Sequence, residues 1–175
     1  MKKKILSLLL TVLLASALMT STASAGGNVG LRNVQFSLGS LDVAGTLTGL
    51  GGYADGVIVE LVASGIPVVT CTSRGGNQAP GQNPSQVSAR GAQLITNIFK
   101  NGTAPVEVSA EPTLTATEGG CPNHNWTANI DFVFWTNATI TVTDPSTDPD
   151  TVLLQRNYTC VTTRDPDSVS CTPVP

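Results

Sequence analysis

The chain is poor in the residues that most active sites are built from. Histidine occurs once, as His124. A Ser–His–Asp or Cys–His arrangement would have to use it, and no nucleophile-elbow motif lies near it. One histidine also falls short of a zinc set, which takes three or four Cys, His or carboxylate ligands at recognisable spacing. Neither triad nor metal catalysis is expected, and no cofactor is implied. Charge is sparse too, at 12% of residues. Beyond the first few positions the basic residues are scattered, whereas nucleic acids and anionic membrane surfaces are bound by clustered Lys and Arg. After residue 25 no apolar run approaches the ~20 residues of a membrane helix.

The one long apolar run is N-terminal. Lys2, Lys3 and Lys4 precede Ile5–Leu18, and Ala23-Ser24-Ala25 follows. This order of basic region, short apolar region and small-residue site is that of a Sec-type signal peptide. No Cys follows the apolar region, so a lipoprotein anchor is not indicated. Cleavage after Ala25 leaves residues 26–175, enough for one domain with its own core. Six basic residues (Arg32, Arg74, Arg90, Lys100, Arg156, Arg164) then face all 12 acidic ones, a net charge of −6. The short triple-lysine start has a bacterial look, and the expected location is extracellular.

Four cysteines remain, an even number in an exported chain, and disulfides are the default reading. Four cysteines allow three pairings. Cys160 and Cys171 flank Arg164-Asp-Pro-Asp-Ser168, a turn-rich linker between two short β-like runs. A hairpin centred there sets them opposite each other and leaves Cys71 to pair with Cys121.

The rest of the chain reads as short strands. Val34, Phe36 and Leu38 alternate with polar residues, as do Leu41, Val43 and Leu47. Val57–Val62 and Ile66–Thr72 are two Val/Ile-rich runs separated by Ser64-Gly65. Weak alternation follows over Gln86–Gln93, and clear alternation over Pro105–Ala110. Leu94–Lys100 suits either one helical turn or an irregular strand. In Trp126–Trp135 the even positions Trp126, Ala128, Ile130, Phe132 and Phe134 share a face. That parity places Trp126 in the core and leaves Trp135 partly exposed. Ala138–Val142, Val152–Thr162 and Val169–Thr172 complete the set, and Gly26–Leu31 reads as a frayed end. Nine or ten short strands at such spacing indicate an all-β, single-domain antiparallel β-sandwich, immunoglobulin-like or a related Greek key, stabilised by disulfides.

Several side-chain groups invite a functional reading. Glu60 and Asp131 sit inside strands and are candidates for a glycosidase pair. Asp144, Asp148 and Asp150, with Asp165 or Asp167, offer calcium ligands, but Asp-Pro runs are ordinary turn chemistry and lack the EF-hand order. Four N-x-T sequons occur, at Asn101, Asn125, Asn137 and Asn157. In a bacterial chain they read as Asn and Thr on polar strand faces. An exposed Trp beside Asn and Gln could stack on a sugar ring. A Cys71–Cys121 bridge would bring loops 73–84 and 119–125 together. These loops carry Arg74, Asn77, Gln78, Gln82, Asn83, Asn123, His124 and Asn125, with Gly75, Gly76 and Gly81 permitting close backbone approach. They form the candidate binding surface, for a glycan or a protein partner.

The blocks Cys71-Thr-Ser-Arg-Gly-Gly-Asn-Gln-Ala-Pro-Gly-Gln-Asn-Pro84 and Gly120-Cys-Pro-Asn-His-Asn-Trp-Thr127 resemble those of a group of small secreted, actinobacterial-type β-rich proteins of unknown function. The resemblance spans Leu41 to about Thr159. It implies a shared Cys71–Cys121 pair, with Cys160–Cys171 as an addition, and it carries over no catalytic residue. The expectation is an exported, non-catalytic binding or structural module. The alternatives are a secreted carbohydrate-active hydrolase using paired carboxylates and a small secreted inhibitor presenting its Gly/Asn/Gln loops. N-terminal sequencing of the protein from culture medium is expected to start at Gly26; a start before residue 20, or retention in the membrane, would contradict the assignment.

Overall fold

The computed structural model describes residues 28–38, 40–164 and 167–175. The expected cleavage site and start at Gly26 lie outside them, as do Asp165 and Pro166. The strands are β1 (Gly30–Ser37), β2 (Leu41–Thr48), β3 (Val57–Thr72), β4 (Gln78–Pro80), β5 (Val87–Ile95), β6 (Ala104–Ala110), β7 (Thr127–Asp144), β8 (Thr151–Arg164) and β9 (Asp167–Pro173). No helix occurs among the described residues. The helical turn considered over Leu94–Lys100 is instead the end of β5 and an irregular loop.

Two antiparallel sheets pack face to face as a disulfide-stabilised β-sandwich. One has the order β1-β2-β6. The other runs β4-β3-β7-β8-β9, with β5 pairing the first half of β3 on the edge that β4 takes at its far end. Alternation explains the layering. In β6, Ala104, Val106, Val108 and Ala110 are buried while Pro105, Glu107 and Ser109 face water. Leu41, Val43 and Leu47 of β2 meet Val57, Val59, Leu61, Ile140 and Val142 across the core. Among the described residues no polar or charged side chain is buried.

Both open sides of the sandwich are tied. On one, the backbones of Arg90 and Glu111 pair in an isolated antiparallel β-bridge, and the Glu107 amide donates to Gln93 Oε1 at 3.0 Å. On the other, Arg156 Nη1 donates to the Leu31 carbonyl at 2.8 Å, and Phe36 meets Tyr158 edge-on at 5.0 Å. Leu31 is 2% exposed, so β1 begins earlier than the frayed end expected of Gly26–Leu31. A bulge at Asn33 and Val34 lets Leu31 reach the core although its parity opposes that of Phe36. Cys160 lies directly opposite Cys171 in the β8–β9 hairpin, and the two are bonded, as the turn-rich linker implied.

The central ribbon departs from the sequence reading. The runs 57–62 and 66–72 are one strand, β3, and the runs 126–135 and 138–142 merge into β7. Ser64-Gly65 does not interrupt the strand. Every odd residue of β3 from Val57 to Cys71 is buried. β7 follows it with two register shifts, at which Asp131 and Thr136 have no opposite residue in β3. Each extra residue reverses which parity faces inward. Ala128 and Ile130 therefore stand beside Cys71 and Val69, and Val133 and Trp135 beside Pro67 and Gly65. Ala138, Ile140 and Val142 return to the even parity. Phe132 and Phe134 fall on the outer face, edge-on to each other at 5.1 Å. The expected roles of the tryptophans are thus reversed: Trp135 is 1% exposed and Trp126, just before the strand, is half-buried.

Trp135→Ala is expected to destabilise the protein by about 3–5 kcal/mol, the cost of emptying a large core site. Trp126→Ala should cost less than about half of that. Chemical denaturation of both variants checks this, and equal costs would contradict the parity reversal.

Candidate functional site

Cys71 lies next to the last residue of β3 and Cys121 ends the loop that leads towards β7. Their sulfurs are bonded, with Cα atoms 5.5 Å apart. Backbone bonds reinforce the junction. The Gly81 amide donates to the Val69 carbonyl at 2.8 Å, Gln82 to Gly120 at 2.9 Å, and Ser85 to Glu118 at 2.7 Å. Residues 80–85 therefore run alongside 117–121, and Gly119 sits over Val69 and Ala128. Gly120 has a φ of 68°, and a Cβ there would collide with the backbone of Gln82, so the crossing requires glycine at this position.

The loop before Cys121 carries its own brace. Glu118 Oε2 accepts from the Thr115 amide at 2.8 Å and from Thr115 Oγ1 at 2.6 Å. The amides of Gly119 and Cys121 donate to Thr115 and Ala116. The Thr115 hydroxyl, and then its amide, hold the Glu118 carboxyl below its usual range.

Two tips project beyond this junction. Thr72 is flanked by Gln78 on one side and Thr127 on the other, so tips 73–77 and 122–126 leave the sheet side by side. In the first, the Ser73 amide donates to the Asn77 carbonyl at 2.9 Å, and the Asn77 amide donates to Ser73 Oγ at 3.0 Å. In the second, Asn123 Oδ1 accepts from the Asn125 amide at 3.0 Å, and its carbonyl accepts from the Trp126 amide at 3.2 Å. These are Asx- and Ser-type turns, in which short polar side chains replace backbone partners.

All eight candidate side chains are exposed at this end of the molecule. Arg74 and Asn77 are on the first tip, with Gln78 at its base; Asn123, His124 and Asn125 are on the second. Gln82 and Asn83 lie on the crossing strand of chain, Asn83 with a φ of 48°. Asn123 is spent on its own turn, and Gln82 Nε2 makes a long 3.4 Å bond to the Pro80 carbonyl. The side chains of Arg74, Asn77, Gln78, Asn83, His124 and Asn125 make no hydrogen bond among the described residues. Trp126 joins the group as a half-exposed ring beside Asn125. Sequence parity had assigned it to the core. It lies outside the strand, where parity has no force; its position next to the Asn-His-Asn turn was the usable signal.

The other candidates fall elsewhere. Glu60 pairs with Arg90 at 3.1 Å, and Asp131 accepts from Thr70 Oγ1 at 2.6 Å. Thr70 lies near the opposite end of β3 from Glu60, about 33 Å away at ~3.3 Å per residue. The carboxyls of a glycosidase pair stand only ~5–10 Å apart, so these two cannot form one. Asp144 Oδ1 accepts from the Ser146 hydroxyl at 2.6 Å and amide at 2.9 Å, which caps a turn and holds the carboxyl below its usual range. No three His, Cys, Asp or Glu side chains converge among the described residues; Asp165 lies outside them. The sequon asparagines 101, 125, 137 and 157 are exposed, and Asn157 Oδ1 accepts from Thr139 Oγ1 on the adjacent strand at 3.0 Å.

Comparison with protein-family models, with curated proteins and with solved structures finds no match.

Because the folded Glu118 carboxyl titrates below its unfolded value, its brace contributes stability above that value. The contribution is lost as pH falls through the folded pKa. The protection factors of the Thr115 and Cys121 amides, the observed exchange corrected for its intrinsic pH dependence, are expected to fall below that point, and Glu118→Gln should show the lowered protection at neutral pH. Protection factors that are independent of pH and of the substitution would contradict this role.

Proposed function

We propose that this is an exported, non-catalytic binding module whose recognition surface is the cystine-braced end, and that its ligand is a glycan. One observation carries the reading. The disulfide, backbone bonds and local turns occupy the main chain of both tips, yet the side chains of Arg74, Asn77, Gln78, Asn83, His124 and Asn125 are left unspent. Side-chain amides offer a donor beside an acceptor and the guanidinium offers paired donors, and both suit vicinal sugar hydroxyls. Trp126 adds a ring face for stacking. Loops held this firmly lose little conformational freedom on binding.

Export is supported by the leader sequence, by the two disulfides and by the resemblance of the two Cys blocks to those of small secreted bacterial proteins. The strand order supports an immunoglobulin-like assignment: β1-β2-β6 opposite β5-β3-β7-β8 corresponds to strands A-B-E opposite C′-C-F-G. The cystine differs from the B–F bridge of antibody domains, since it joins the end of C to the E–F loop.

NMR titration with soluble bacterial cell-wall polysaccharide fragments tests the reading. Saturable shifts are expected at 73–78 and 122–126. The triple variant Arg74→Ala, Asn77→Ala, His124→Ala should bind about tenfold more weakly or worse, as loss of several polar contacts implies. Unchanged affinity in the variant, or shifts only at the other end of the sandwich, would refute it. Shifts at these tips with a protein from the surroundings, and none with any saccharide, would favour the inhibitor alternative.

A further inference from the structure

The longest strand has a partner along only half of one edge. β7 pairs with β3 from Thr127 to Thr143, but with β8 on its other side only from Asn137 onwards. Beyond Thr159, β8 pairs with β9 alone. Its last tie to β7 is the Thr162 hydroxyl, which donates to the Trp135 carbonyl at 3.2 Å. Among the described residues no strand pairs this side of β7 from Thr127 to Thr136.

The register with β3 fixes which groups this edge presents. In an antiparallel ladder the two residues of a non-hydrogen-bonded pair turn their N–H and C=O groups away from each other. Val69 is one of these, because its carbonyl accepts from the Gly81 amide on the far side of β3. Ile130 opposite it, and Ala128 two residues before, therefore turn their main-chain groups to the open edge. Past the bulge at Asp131, Pro67 faces Val133 with no N–H to give, and the Trp135 carbonyl already points at Thr162. Val133 thus turns to the open edge as well. The main chains of Ala128, Ile130 and Val133 have no hydrogen-bond partner there among the described residues. Val133 is only 5% exposed, and a nearly buried main-chain pair left open is uncommon in a folded protein.

Space and charge adjoin the same edge. A concavity of about 430 Å³ lies between Ala128–Ile130 and Pro112–Leu114, with no charged residue in its lining. A second, of about 390 Å³, lies where β8 departs and is lined by Leu38, Val133, Trp135 and Phe132 with Asp131 and Asp167. These two carboxylates are its only charged groups. One oxygen of Asp131 accepts from Thr70, and neither carboxylate pairs with a cation among the described residues; Arg164 lies instead over the Phe132 ring at 5.8 Å. We propose that the open edge of β7 binds an extended peptide segment of a partner protein, which adds as a strand at Ala128–Val133 and sets a basic side chain beside Asp131 and Asp167. Alternating main-chain donors and acceptors select an extended peptide, as in other strand-addition sites. The carboxylates select its charge. They also argue against a second copy of this chain, since pairing two such edges brings Asp131 towards its own counterpart, and a charged bulge guards an edge against self-association. The site does not depend on the glycan reading of the loop tips.

The test titrates capped synthetic octapeptides of alternating Thr and Val, with a central Lys, Glu or Thr, into the intact isotope-labelled protein. With the Lys peptide, saturable shifts and slowed amide exchange are expected at Ala128, Ile130 and Val133. The Glu peptide should bind about tenfold more weakly or not at all. Two further Lys peptides are N-methylated on alternate amides, in one register or the other. At least one of them should lose binding, because an added strand directs every second N–H to β7. Asp131→Asn, at an exposed position, should weaken the Lys peptide and leave the neutral one unchanged. Equal binding of the Lys and Glu peptides, full binding of both N-methylated ones, shifts confined to other regions, or no response would overturn the proposal. So would concentration-dependent shifts of these residues without peptide, because a second copy would then be the occupant.

Discussion

The pairing of β3 with β7 is the constraint from which the rest of the molecule follows. It runs from Ile58 opposite Thr143 to Thr72 opposite Thr127, across the whole length of the sandwich. β5 and β4 are added to one edge of this ribbon and β8 to the other, so strand order in the larger sheet depends on it. The two bulges in β7 let a straight alternation in β3 match a sequence that changes parity twice. They also permit the ribbon to bend around the core, since a bulge adds twist and curvature. Trp135, opposite Gly65, is buried in the core, and a Cβ at residue 65 would meet the Trp135 backbone.

Length in the ribbon creates the demand that the disulfide meets. β3 and β7 extend past the last pairing with β5 and β8, and apart from the three residues of β4 their far end would be a two-stranded ribbon, a weak structure in water. Cys71–Cys121 fastens the loop 112–121 across it, and in the chain-entropy treatment closing so long a loop contributes about 4 kcal/mol. The loop covers Val69 and Ala128 and has its own backbone satisfied by Thr115, Glu118 and Gln82. The short β8–β9 bridge has a more local effect, since its loop is already closed by ladder hydrogen bonds.

The two ends of the sandwich thus differ in chemistry for a structural reason. At the cystine end the ribbon supports long loops, whose polar side chains either form turns or remain free. At the other end loops 49–56 and 96–103 are pinned to each other, Tyr53 and Ile98 pack partly against the core, and Phe99 stays exposed. The polar tips of the cystine end and the exposed Phe99 are therefore separated by the full length of β3.

Much of this was readable from local pattern. Alternation in 41–48 and 105–110 identifies strands and their inward faces because each strand is short and unbulged, so period two holds throughout. The all-β class, the cysteine pairing and the exposed eight-residue surface follow from composition, turn chemistry and spacing. What local pattern could not supply was long-range register. Ser64-Gly65 reads as a break between two runs because only its partner strand reveals that the chain runs straight through it. Phe132 and Phe134 read as core, and Trp135 as half-exposed, because an extra residue in a strand is visible only against the strand it pairs with. The same holds for Glu60 and Asp131, which look alike in sequence and lie at opposite ends of the ribbon, and for the pinned loops 49–56 and 96–103, which sequence separates. Side-chain identity and its local rhythm set the elements; pairing across the ribbon, which depends on residues far apart in the chain, decided which face each residue occupies.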